Sequence, residues 1–156
     1  GAMFRQPGTT DAQLAQTAEM IRGQMAAAAG EQRRLMQNTT IAQMIRTESE
    51  RPAAVEAALA SDQAVSAQGF HDLIVTNLIP DVGRIRVPLT VLYVQPAGAP
   101  LTAEQIDDYY RISYRDAPQA IVRRVPDSAH FIMFDNAPVF QAALREFLGT
   151  AAAAPR

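Results

Sequence analysis

The stretch VRRVPDSAHFIMFD, Val122–Asp135, decides how this chain is read. A β-branched run over Ala120–Val125 ends at Pro126, and Asp127 and Ser128 supply turn chemistry. His130 then stands on a loop ahead of the helix-like APVFQAALREFL, Ala137–Leu148. Before this stretch lies RVPLTVLYV, Arg86–Val94, whose Leu89–Val94 portion has the apolar, β-branched character of a parallel strand covered on both faces. Between the two strands, QPAGAPL (Gln95–Leu101) is a loop, and Thr102-x-x-Gln105 is a capping box for a helix to about Tyr114. Strand, helix, strand predicts a right-handed βαβ crossover. A histidine following the second strand occupies the end of an α/β sheet where functional side chains are displayed.

The order of IRVPLTVLYV, a connecting helix, VRRVP, a small-residue turn into SAHFIMFD and a closing VFQAALREFL resembles the last third of an α/β-hydrolase. The resemblance runs over Pro80–Leu148, and it implies that His130 is the general base of a Ser-His-Asp/Glu triad. No G-x-S-x-G nucleophile elbow occurs in the chain, and Ser49, Ser61, Ser66, Ser113 and Ser128 all lack that setting. The acidic triad member of the family follows the strand matching Leu89–Val94, where this chain has Ala97 and Gly98. Three explanations stand: an acid upstream of this sequence, which we favour, substitution by Asp81 or Asp135, or loss of catalysis. Asp135 has an alternative structural role as a helix N-cap shared with Asn136, and Asp107-Asp108 reads as a solvated pair near the start of its helix.

The first half reads as helices without a strand. Thr10-x-x-Gln13 is a capping box, after which Leu14, Ala18, Ile21 and Met25 form one stripe until Gly30 stops the helix. A second helical region over about Glu31–Arg46 carries Leu35, Ile41, Met44 and Ile45, with Asn38-Thr39-Thr40 as a possible break. Pro52 starts a helix with Val55 and Leu59, and Ser61 or Asp62 caps another with Val65, Phe70, Leu73 and Ile74. By the resemblance this region is the helical cap over an active site, and Met25, Phe70 and Met133 are candidate substrate-lining residues for a small apolar acyl or ring substrate. Ordinary core packing is the stronger explanation of such a stripe. His71, beside Phe70 with no partner in view, reads as a packing or surface residue.

Composition narrows the classes. The 156 residues, 48% of them apolar, suffice for a core, and a formal charge of −2 offers no footprint for nucleic acid. No apolar run is long enough to span a membrane. Cysteine and lysine are absent, which excludes thiol nucleophiles, Cys-ligated metals and Schiff-base chemistry, and two isolated histidines make no metal site. No cofactor is implied. Gly1-Ala2-Met3 reads as an expression scar with no signal peptide after it, so a cytoplasmic location is expected.

The expected architecture is thus α/β and mostly helical: a scar at 1–3, a helical cap at 4–79, the last strand-helix-strand-helix of a hydrolase core at 80–149 and a disordered tail at 150–156. Its expected role is to supply the general-base histidine of an esterase-like enzyme, its main partner the absent N-terminal half of the core. The alternative is a non-catalytic helical interaction or oligomerisation module on a hydrolase-derived scaffold. An open strand edge predicts a homo-oligomer, with a dimer expected.

Overall fold

The structure is a computed structural model in which residues 8–96, 98 and 101–153 are described, the side chains of 150–153 excepted. The scar expected at 1–3, the loop residue Ala97 and the last part of the expected tail, 154–156, lie outside the described residues. The protein is a mostly helical α/β chain. Helices α1 (Asp11–Ala27), α2 (Gly30–Met44), α3 (Arg51–Ala60) and α4 (Gln63–Val75) come first. Strand β1 (Leu89–Tyr93), α5 (Ala103–Ser113) and β2 (Ala120–Arg124) follow, and then the short α6 (Ile132–Asp135) and α7 (Ala137–Ala153). Single 3-10 segments cover Glu48–Glu50 and Ile79–Arg84. Two compact units result: Gly1–Thr40 with Pro52–Asp81, and Ile41–Arg51 with Val82–Arg156.

In the first unit α1 packs along α4. The Thr10–Gln13 capping box forms as the sequence predicts, Gln13 N–H donating to Thr10 Oγ1 at 3.2 Å while Gln13 Oε1 accepts from Thr10 N–H at 2.8 Å. Leu14 and Ala18 meet Ile74 in the buried core, with Ile21, Phe70 and Val75 packed against them. Three expectations of burial are corrected by helical geometry. Val65 lies nine positions before Ile74, about 180° round the helix, and is 70% exposed. Leu35 lies six positions before Ile41, about 120° round, and is likewise exposed. Leu73 is also exposed, since it stands next to Ile74 rather than one turn from it.

Gly30 does not stop α1. That helix ends at Ala27, and Gly30, at φ 51°, opens α2 instead. The terminal carbonyls of α1 are satisfied from a distance: Gln63 Nε2 donates to Met25 and Ala28 O, both at 2.6 Å. Asn38-Thr39-Thr40 does not break α2, because Thr39 Oγ1 bonds back to Leu35 O at 3.0 Å and stays within the helical pattern. Of the two candidate caps for α4, Asp62 is used, accepting from Val65 N–H at 3.0 Å.

In the second unit the two strands pair in parallel, in register Leu89–Ala120 to Tyr93–Arg124, as the sequence predicts. Val125 N–H adds one more bond to Tyr93 O at 2.8 Å. The Thr102–Gln105 capping box starts α5, and α5 docks on one sheet face through a polar anchor. Tyr93 donates from its hydroxyl to Asp107 Oδ1 at 2.8 Å, Arg124 Nε approaches the same oxygen at 2.9 Å, and the Tyr93 and Tyr110 rings stack at 4.1 Å. Burial, reinforced by Asp107, pushes the Tyr93 pKa up to about 12. Asp107 is therefore a structural tie and not half of a solvated pair, whereas Asp108 does lie on the surface with Arg111. On the other face Arg123 meets Glu146 of α7 in a bidentate pair, Nη2 to Oε1 at 3.1 Å. Helix α7 continues past Leu148 to Ala153, since alanines extend a helix without needing anything to bury.

The first-unit core predicts a sharp contrast between two aliphatic positions on one helix. Ile74→Ala, at a fully buried site, should cost about 2–4 kcal/mol, and Val65→Ala less than about 0.5 kcal/mol, in urea unfolding. Similar losses at both positions would refute the packing of α4 on α1.

Candidate functional site

The histidine loop is built by the chain on either side of β2. Val125 is buried, Pro126 ends the strand, and Asp127 takes a left-handed conformation (φ 54°) that aspartate tolerates better than most residues. Ser128 turns its hydroxyl inward, donating to Pro126 O at 3.2 Å, and is buried. Both neighbours of His130 are pinned through their backbone. Ala129 N–H donates to Asp135 Oδ2 at 2.7 Å, and Phe131 N–H donates to Met44 O at 3.1 Å. The His130 side chain is exposed, with its ring edge-on to Phe131 at 5.2 Å, and it has no hydrogen-bond partner among the described residues.

Asp135 is the centre of this arrangement. Its Oδ1 accepts from Arg46 N–H at 2.9 Å, Thr47 N–H at 2.8 Å and Thr47 Oγ1–H at 3.0 Å, while Oδ2 holds Ala129. Burial opposes its charge, yet the backbone donors of Ala129, Thr47 and Arg46 and the Thr47 hydroxyl outweigh it and hold the carboxyl below its ordinary 3.8. The sequence offered two roles for Asp135, N-cap and substitute triad acid. The structure assigns its carboxylate to neither: α7 begins at Ala137, and all four bonds go to the two loops. Asp81, the other candidate acid, belongs to the first unit.

The predicted site residues divide between the two units. His130 shares its turn with Met133, which is 42% exposed on α6. Met25 and Phe70 belong to the first unit, and Phe70 is part of the packing around Ile74 there. His71 does have partners, contrary to the sequence reading: its Nδ1 lies 3.0 Å from Asp72 Oδ1, and Gln68 Nε2 reaches the same carboxylate at 2.8 Å. These contacts hold the Asp72 carboxyl below its usual range, with His71 the larger cause and Gln68 the next. All three residues sit on one helical surface, a local arrangement that neighbouring positions produce by themselves.

Among the described residues no cluster of three or more metal-ligating side chains occurs, and no helix is long and apolar enough to cross a membrane. Sequence reasoning missed Asp135 as an organiser and Arg46 as a neighbour of this loop. Their separation of 89 positions leaves no local signal. No family model matches the chain, and no curated protein or solved structure matches it either.

The sign of the Asp135 shift sets its pH dependence. A depressed folded-state pKa stabilises fully above the ordinary carboxylate value, and that stabilisation is lost as pH falls through the folded value. Asp135→Asn, which turns one acceptor into a donor facing donors, should lower stability at pH 7 by about 1–3 kcal/mol. The gap between variant and parent should begin to shrink below about pH 4, where the unfolded parent's carboxylate protonates, and should shrink further as pH falls through the lower folded-state value. Chemical denaturation at pH 7 and at pH 3 measures both effects, and a gap that widens on acidification would overturn the assignment.

Proposed function

We propose that this chain is the helical cap and C-terminal segment of an α/β-hydrolase, in which His130 serves as general base for an esterase-like reaction on a small apolar acyl or ring substrate. The observation that carries the reading is positional: an exposed histidine, its backbone pinned on both sides, follows the second strand of a parallel β-α-β unit and precedes a closing helix. In the intact enzyme a serine from outside this sequence attacks the carbonyl, His130 accepts and returns its proton, and backbone N–H groups stabilise the oxyanion. The chain by itself is inactive, since none of its serines lies in a G-x-S-x-G setting.

The second reading, a non-catalytic interaction module, draws support from the imidazole's lack of a carboxylate partner among the described residues. One experiment separates the two. In the protein extended by its upstream coding sequence, His130→Ala should reduce turnover of a chromogenic ester by several powers of ten, as loss of a triad member does, while His71→Ala leaves it nearly unchanged. Equal losses, or an extended protein without activity, would favour the module.

The same reading bears on association. Strand β2 carries Arg123 and Arg124, the charged residues that blunt a sheet edge, whereas β1, Leu-Thr-Val-Leu-Tyr, carries none. Beside β1 an apolar groove of about 330 Å³ runs between Leu89 and Leu92 on the strand side and Phe140 and Leu144 of α7. A two-stranded parallel sheet with such an edge is a template for further pairing, either by the upstream half or by a second copy. The isolated chain is therefore a dimer at micromolar concentration. Light scattering coupled to size exclusion checks this, and a monomeric mass throughout would overturn it.

A further inference from the structure

A second, polar cleft of about 240 Å³ opens where both strands end. Gln95 after β1, Arg124 at the end of β2, the Pro126–Ser128 turn and Arg46 from the segment after α2 line it. The two guanidinium groups differ in their commitments. Arg124 uses Nε on Asp107 at 2.9 Å, which leaves the terminal nitrogens of its planar fork for another acceptor. The Arg46 guanidinium has only a loose pair with Asp127, Nη1 to Oδ1 at 3.8 Å and beyond hydrogen-bond reach, with the Asp127 side chain 89% exposed. Arg46 is nevertheless held firmly at its backbone. Its N–H is fixed by Asp135 at 2.9 Å, and its carbonyl accepts from Arg51 Nη2 at 2.9 Å.

We propose that this cleft is a binding site for a small organic monocarboxylate, gripped between the Arg46 and Arg124 guanidiniums. Planar guanidinium forks match carboxylate geometry, and two of them line this cleft, one from a strand end and one from a segment held at its backbone. Charge balance selects a monoanion. Asp107 already offsets one arginine and Asp127 loosely offsets the other, so displacing the exposed Asp127 leaves a single positive charge to neutralise. The lining is mainly polar, which suits a ligand with little apolar surface beyond its carboxylate. Asp127, whose side chain already stands in water, is a loose internal competitor that yields Arg46 when the ligand enters. The site stands on its own geometry and does not require His130 to be a base, because binding is read without turnover.

The test is titration of the ¹⁵N-labelled chain with sodium propionate, followed by amide and arginine Nε–H resonances, with propionamide and inorganic phosphate as comparisons. Saturable shifts should be confined to Arg46, Arg124, Asp127 and Ser128. Propionamide should leave these signals unmoved, and phosphate should bind no tighter than propionate. Arg46→Ala should weaken binding about tenfold or more, the scale of a charge-assisted bond to a carboxylate. Asp127→Asn, which keeps a residue tolerant of the left-handed turn, should tighten binding about two- to fivefold by removing the competitor. Non-saturating shifts spread over all arginines, equal response to propionamide, tighter binding of phosphate, or unchanged affinity in either variant would each overturn the proposal.

Discussion

A single carboxylate, that of Asp135, ties two loops of the second unit together. It ties Arg46 and Thr47, which follow α2, to Ala129, which precedes the histidine. The bonds are charge-assisted and go mostly to backbone N–H groups, so they fix main-chain positions rather than side-chain rotamers. The Ile45 side chain beside this junction is fully buried and Ala129 is nearly so, while Asp135 itself is half-buried and its bond to Arg46 lies at the surface. These ties explain why Ile41–Arg51, continuous in sequence with helices of the first unit, belongs with the strands of the second.

The sheet shows a related division of labour between apolar and polar contacts. Two five-residue parallel strands bury too little to stand alone, so each face depends on a helix. On one face Tyr93, Asp107 and Arg124 form a compact network in which the tyrosine is both buried and hydrogen-bonded. On the other, the Arg123–Glu146 pair sits at the solvent margin, where such a pair contributes little energy and mainly sets direction. Because the Asp107 network ends at Arg124, it also aims that guanidinium across the strand ends.

Elements whose signals are local were legible in the sequence. Both capping boxes, the two strands with their parallel pairing, and the packed α1 stripe of Leu14, Ala18 and Ile21 follow from spacings of a few residues. What failed was long-range. Gly30 looked like a helix stop, but Gln63 closes α1 from far along the chain. Leu35 and Val65 looked like core because their residue types are apolar, yet the faces that bury Ile41 and Ile74 point elsewhere. The position of His130 on its loop was readable from the strand-turn-helix pattern, while the partners that pin the loop were not, since hydrogen bonds to Arg46, Thr47 and Met44 leave no trace in neighbouring residues.

The commitments of Asp135 bear directly on what His130 can do. Asp135 receives three donors at Oδ1 and one at Oδ2, and none of the four comes from the imidazole. Its charge serves the loops that hold the histidine's backbone, while the ring itself meets no carboxylate among the described residues. If His130 takes a proton from a nucleophile, the charge it gains calls for a carboxylate within reach of the ring, because a base held in place without an electrostatic partner has geometry but lacks the stabilisation of its protonated form. The exposure of the ring fits this division: the loop is fixed from behind, and the face that would meet an orienting acid is left accessible.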